Sequence, residues 1–144
     1  MNRINLICLG VRDLPKSLKF YKGIGFKTYE KEEQPAIVFF DNQGTKLELY
    51  PLKNLAEDIN QAAPPETTDS FGGITLAINL KSEQEVDNLM EAVLANGGTI
   101  AKQPQKALYW EGYSGYFRDP DGYYWEVAYG RNWRFDENEM LIID

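Results

Sequence analysis

The chain moves from a period-two to a helical rhythm of apolar positions, and it does so twice. In "NLICLGV", Ile7, Leu9 and Val11 fall on one side of an alternation and Leu6, Cys8 and Gly10 on the other, which predicts a strand. Asp13 then stands where a helix cap belongs. Pro15 sits in the first turn, and Leu14, Leu18 and Tyr21 line one face of the helix. "GIGF" ends it, because glycine accepts the positive φ of a C-terminal stop. Strands are expected at 27–31, 36–40 and 45–50, with "DNQG" as the turn between the last two. The second pass opens with a strand at 74–80. Ser82 and Glu85 have capping-box spacing, Val86, Leu89, Met90, Val93 and Leu94 make an apolar face, and Gly97 is the stop. "GTIAK", "SGYFRD" and "GYYWEVAY" read as strands. "DPDG" turns between the last two: proline presets φ and glycine supplies a positive φ.

The two passes align. With Gly44 set on Gly122, Glu48 falls on Glu126; with Leu9 set on Leu76, Leu6 falls on Gly73. One strand–helix–strands unit is thus written twice, at about 4–51 and 72–130, within a single domain spanning 1–144. Residues 52–71 read as a connector holding one helical turn and Pro64-Pro65. The tail, 131–144, is polar and then apolar, and its 141–143 segment is expected to dock on a neighbour, across a dimer interface.

Composition removes several function classes. The net charge of −7 argues against a nucleic-acid partner, since phosphate binding needs a basic face. It suits a neutral or cationic ligand, and equally a merely soluble acidic surface. A single cysteine, Cys8, rules out an intrachain disulfide. "INLICLGV" is too short for a signal core and runs into "RDLPKS" without a cleavage site; no stretch is long and apolar enough to cross a membrane. Cytoplasmic residence is the expectation. The chain contains no histidine, which excludes serine–histidine and cysteine–histidine nucleophile pairs and any zinc site built on imidazole.

"LGVRDLPKSLKFY", "LELY" and "GYFRDPDGYYWEVAY", set in paired βαβββ units, resemble the vicinal oxygen chelate superfamily: glyoxalase I, extradiol dioxygenases, fosfomycin-modifying enzymes and bleomycin-binding proteins. The resemblance runs to about Tyr129. It implies an α+β fold in which two tandem βαβββ units form a cupped, partly open, barrel-like sheet with helices outside, and it implies a homodimer. It also implies that a metal, where present, is held by residues from the first and last strands of each unit. Those positions here are Leu6, Glu48, Gly73 and Glu126. Leu and Gly cannot coordinate through a side chain, so no metal and no cofactor is expected.

Period two sorts what would line the cup. Tyr124 and Ala128 share a face with Glu126, and Lys46 and Tyr50 share one with Glu48. Cys8, Thr75 and Ala77 are first-strand neighbours. Trp110, Tyr113 and Tyr116 are rim candidates, with Gly112 and Gly115 leaving room for a ligand. An aromatic pocket floored by two carboxylates suits a small flat or cationic organic molecule. By resemblance to the bleomycin-binding proteins, the first reading is a metal-free small-molecule-binding protein. The alternative is an atypical enzyme of the superfamily, a lyase, isomerase or dioxygenase relative, in which Glu126 or Glu48 serves as base or partial metal site. A third reading leaves both glutamates in a plain core, each held by a tyrosine or arginine. Cys8 lacks a histidine to activate it and reads as an inert thiol.

Overall fold

The computed structural model describes residues 2–143 and divides the chain into two compact units that meet between Ser70 and Phe71. The fold class is α+β, with an open three-stranded sheet in the first unit and an open four-stranded sheet in the second.

In the first unit, β1 (Leu6–Val11) leads into α1 (Leu14–Gly23), then β2 (Val38–Phe40), β3 (Lys46–Pro51) and α2 (Leu52–Ile59). The sheet order is β1-β3-β2, with β1 parallel and β2 antiparallel to β3. Asp13 caps α1, its Oδ1 accepting from the Lys16 N–H at 2.9 Å. Leu14, Leu18, Phe20 and Tyr21 are buried with Leu9, Val11, Val38, Phe40, Leu47 and Leu49. The Tyr21, Phe26 and Phe40 rings pack with centroids 5.3–5.6 Å apart. Leu9, Val11, Leu14, Leu18 and Tyr21 among them are residues that the sequence periodicity places together.

The strand expected at 27–31 does not form. Scattered bonds tie this segment beside β2: Asp41 N–H to the Lys27 carbonyl at 2.7 Å, the Thr28 hydroxyl to the Phe39 carbonyl at 2.6 Å and the Tyr29 hydroxyl to Asp41 Oδ2 at 3.0 Å. The Glu30 carboxylate instead folds back to accept from the Lys31 and Glu32 N–H groups, both at 2.7 Å. Local side-chain bonds have replaced the ladder. The connector departs from expectation in the other direction: its single turn is the eight-residue helix α2. Leu52 and Leu55 lie so close over β1 that a Cβ on Gly10 would meet them at 2.5 and 3.1 Å, so this contact needs glycine.

The second unit is a full βαβββ: β4 (Leu76–Leu80), α3 (Glu83–Ala95), β5 (Thr99–Lys106), β6 (Gly112–Arg118) and β7 (Tyr124–Gly130), in sheet order β4-β7-β6-β5. Ser82 Oγ accepts from Glu85 N–H at 3.2 Å, and the Glu85 carboxylate reaches back to the Lys81 N–H at 2.7 Å. Val86, Met90 and Val93 of α3 are buried, as are Phe117, Trp125 and Val127 of the sheet. The DPDG turn is locked by the buried Asp119, whose Oδ1 accepts from Asp121 and Tyr123 N–H at 3.0 and 2.9 Å. Gly122 takes φ +93°. The tail turns back on itself: Phe135 and Leu141 form an antiparallel bridge, and Asp136 accepts from Asn138 and Met140 N–H. Lys81 pairs with Glu139 and lies over the Phe135 ring.

The strand registers also correct the internal alignment. β1 sets Cys8 opposite Glu48, and β4 sets Ala77 opposite Glu126. Cys8 precedes its helix cap Asp13 by the same five residues that separate Ala77 from Ser82. Leu6 therefore corresponds to Thr75, not to Gly73, which lies ahead of β4 in an exposed turn at φ +77°.

Candidate functional site

Each unit buries one sheet face under its long helix, and the glutamates lie on the opposite faces, Glu48 on β3 at the middle of its sheet and Glu126 on β7 between β4 and β6. On the first unit α2 packs over the Gly10 end of that face.

On the second unit, the antiparallel pairing of β6 with β7 puts Tyr116 opposite Glu126, Arg118 opposite Tyr124 and Ser114 opposite Ala128, all on one face. Burial, and then the charge and hydrogen bond of Glu126, raise the Tyr116 phenol above its usual pKa. The phenol stays protonated across the ladder from the carboxylate. Tyr124 is flanked by the Phe71 ring, edge-on at 5.5 Å, and by the Arg118 guanidinium 5.2 Å from its centroid. The Lys102 ammonium lies 5.9 Å from the centre of Tyr116. The arrangement is one carboxylate with a tyrosine donor, bordered by aromatic rings and two cations.

On the first unit, Glu48 is buried. The Cys8 thiol donates to its Oε1 at 3.5 Å. Burial, with the Glu48 charge and this hydrogen bond, pushes the thiol up to about 12. A thiol so held is a proton donor and not a nucleophile at neutral pH. Phe39 stands opposite Glu48 on β2 and is 51 % exposed. Lys46, on the same face, pairs with Asp41 at 3.5 Å.

Of the residues that the sequence nominates, Tyr116 and Tyr124 share the Glu126 face and Cys8 contacts Glu48. Tyr50 lies on the Glu48 face, but its phenol is raised by burial and by a hydrogen bond to Asp58 of α2, so it is engaged there. Tyr113 is a correction. It faces the helix side with Phe117 and donates to Asp87 Oδ1 of α3 at 2.8 Å; odd and even positions of β6 face opposite ways. Thr75 is exposed, just ahead of β4. Trp110 stacks on Trp133, centroids 5.4 Å apart and planes 13° apart. The ring lies where a Gly112 Cβ would be, within 1.6 Å, so the glycine accommodates the protein's own indole and not a ligand. Gly115 likewise serves close packing, against the Lys102 carbonyl and Met90. Arg118 and Lys102 were missed, although the alternation through Tyr116 reaches Arg118. Trp133 and Phe71 lie outside any strand and carry no periodic signal.

The residues at the positions that the resemblance gives to a metal do not fit a chelate. Leu6 and Gly73 offer no side-chain donor, Thr75, at the register equivalent of Leu6, only a hydroxyl, and the thiol beside Glu48 holds its proton. Within either unit, among the described residues, no three His, Cys, Asp or Glu side chains gather closely enough to hold an ion.

The family model of the Glyoxalase/Bleomycin resistance protein/Dioxygenase superfamily matches residues 3–127. The metallothiol transferase FosB of Shouchella clausii is 30% identical over 135 residues, 90% of this chain and 82% of that protein. A glyoxalase-related enzyme from Fulvimarina pelagi superposes with a TM-score of 0.86 at 30% identity, covering 99% of both chains. A lactoylglutathione lyase from Agrobacterium tumefaciens shares the fold, with a TM-score of 0.65 at 21% identity over 94% of this chain and 98% of that one. With the model match covering most of its length, this chain belongs to the Glyoxalase/Bleomycin resistance protein/Dioxygenase superfamily.

Proposed function

We propose that the protein is a metal-independent small-molecule-binding member of this superfamily, taking a flat aromatic ligand that presents a cation or a hydrogen-bond donor to a glutamate. The observation that carries the reading is the pairing of Tyr116 with Glu126 on a face bordered by Tyr124, at a position where the metal-binding members use a ligand. Tyr116 keeps the carboxylate oriented, and the remaining oxygen lone pairs are acceptors for a ligand. Tyr124 supplies a face for stacking, and Arg118 above it adds cation–π attraction. Glu48 with Cys8 offers a second acceptor on the first unit. The lack of side-chain donors at Leu6 and Gly73, with only a hydroxyl at Thr75, supports independence from metal. The reading includes a homodimer in the cytoplasm. Large apolar side chains left open to solvent, such as Tyr109 at 95 % exposure, support association, and sedimentation velocity at the dimer mass is the expected result.

The test is a thermal-shift panel of small aromatic amines with EDTA present throughout. Binding the native state alone stabilises it by about 2.7 kcal/mol at a free ligand concentration a hundred times Kd. Glu126→Gln keeps the shape and removes the charge, and is expected to weaken the cationic members by about tenfold or more. A panel in which no compound raises the melting temperature overturns the reading.

The two enzymes that are 30% identical to the chain favour a second reading, catalysis with Glu126 as a general base. In that case Tyr116 fixes the carboxylate for proton abstraction. On any substrate that is turned over, Glu126→Gln then abolishes kcat; retained kcat removes Glu126 from the chemistry.

A further inference from the structure

Where the 27–31 segment fails to ladder with β2, a cavity of about 440 Å³ opens in the first unit, a volume usual for a small-molecule pocket. Lys22 in the last turn of α1, Phe26, Lys27, Thr28, Tyr29 and Asp41 line it. The binding proposed at Glu126 uses none of these residues. Bonds fix the walls. The Asp41 N–H and the Thr28 hydroxyl pin the start of the segment to β2, donating to the Lys27 and Phe39 carbonyls. The Gly25 and Phe26 N–H groups donate to the Lys22 and Tyr21 carbonyls at 3.2 and 2.9 Å, which closes the end of α1 and engages carbonyls that would repel an anion. The Phe26 ring packs edge-on to Tyr21 and Phe40. Tyr29 differs: its ring is 83 % exposed, while its hydroxyl is tied to Asp41 Oδ2 at 3.0 Å. The charges around the cavity do not balance. Asp41 is its carboxylate, and both oxygens are engaged, Oδ2 by Tyr29 and Oδ1 by Lys46. Among the described residues, neither Lys22 nor Lys27 stands within ion-pair distance of a carboxylate. Two unpaired ammonium groups thus border one cavity in a chain whose net charge is −7.

We propose that this cavity binds a small aromatic carboxylate, its acid group met by Lys22 and Lys27 and its ring by Phe26 and Tyr29. Lysines on an open surface attract any anion weakly, because water and salt screen them. Here the two ammonium groups share a cavity with aromatic walls, so charge and ring are recognised together. The hydroxyl bond to Asp41 already holds the Tyr29 ring, and a ligand that stacks on it has less side-chain freedom to remove. Lys46 matters indirectly: by neutralising Asp41 it leaves the cavity positive.

The probe is benzoate, titrated into the isotope-labelled full chain at constant ionic strength and followed by amide NMR. Benzamide, which keeps the ring without the charge, and acetate, which keeps the charge without the ring, are the controls. Benzoate is expected to give saturable shifts at the amides of Phe26 to Tyr29 and Asp41, and to bind about tenfold or more tightly than either control. The double variant Lys22→Gln with Lys27→Gln is expected to lose about tenfold or more in benzoate affinity and none in benzamide affinity. Tyr29→Ala is expected to weaken both. The substituted side chains are exposed, and the amide spectrum of each variant shows directly that the fold is kept. Shifts that grow without saturation and equally for acetate and benzoate would mean general attraction to surface lysines and overturn the site. Saturable benzoate binding that survives the double variant, or that shifts amides of the second unit alone, overturns it as well. None of these outcomes bears on Glu126, whose test ligands carry the opposite charge.

Discussion

Cys8 donates to Glu48, Tyr116 stands across the ladder from Glu126, and both keep their protons beside a carboxylate. For Cys8 the raised pKa has a definite consequence. Below pH 9 both the folded and the unfolded chain keep the thiol protonated, and its contribution to stability is constant. Between about 9 and 12 the unfolded chain releases the proton and the folded chain keeps it, so stability falls as pH rises. Urea midpoints measured across that range should fall more steeply for the wild type than for Cys8→Ala. Alkylation at pH 8 should be slow, and faster in Glu48→Gln; labelling at the rate of a free thiol would contradict the pairing. Much of this was legible in the sequence, because period two alone places Glu126 with Tyr124 and separates it from Trp125. Tyr113 was misjudged as a rim group because it stood in a segment read as loop, where alternation has no phase; once β6 begins at Gly112, Tyr113 must face α3.

At the scale of elements, the hairpin of β6 and β7 holds the face, and one turn holds the hairpin. Asp119 accepts two turn N–H groups while buried, so Asp119→Ala leaves both without that partner and is expected to cost about 1–3 kcal/mol. Gly122→Ala meets a positive φ and the Arg118 guanidinium 2.7 Å from the new Cβ, and is expected to cost about 1–2 kcal/mol. Equilibrium denaturation reads both; a midpoint unchanged in both variants would contradict this account of the turn. The caps at Asp13 and Ser82 and the turn at 119–122 were legible because their chemistry is local. The segment at 27–31 was not, since a β-rich composition does not reveal that Thr28 and Glu30 will bond their own backbone. Nor was the full length of α2, whose Leu52 and Leu55 are held by tertiary contact with Gly10. The slip that paired Leu6 with Gly73 has a similar origin: matching apolar letters tolerates a shift of two, whereas strand register and helix caps do not.

For the whole molecule, the superfamily framework is present, and the residues at the positions that the resemblance gives to a metal are a poor chelate. The chain has a glutamate on the last strand of each unit, Leu6 and Gly73 without side-chain donors at the other two positions, and no histidine. What stands on the second unit is a carboxylate, a tyrosine across from it and neighbouring aromatic rings, the set on which the proposed ion-free binding of an organic ligand rests. The most direct measurement is elemental analysis of tag-free protein grown and dialysed with manganese, iron, nickel and zinc, because a histidine tag would supply the imidazole that the chain lacks. The account predicts metal well below one equivalent per chain, with ligand binding unchanged by EDTA. Metal near one equivalent, lost in Glu126→Gln or Glu48→Gln, would contradict it and return the protein to chelate chemistry.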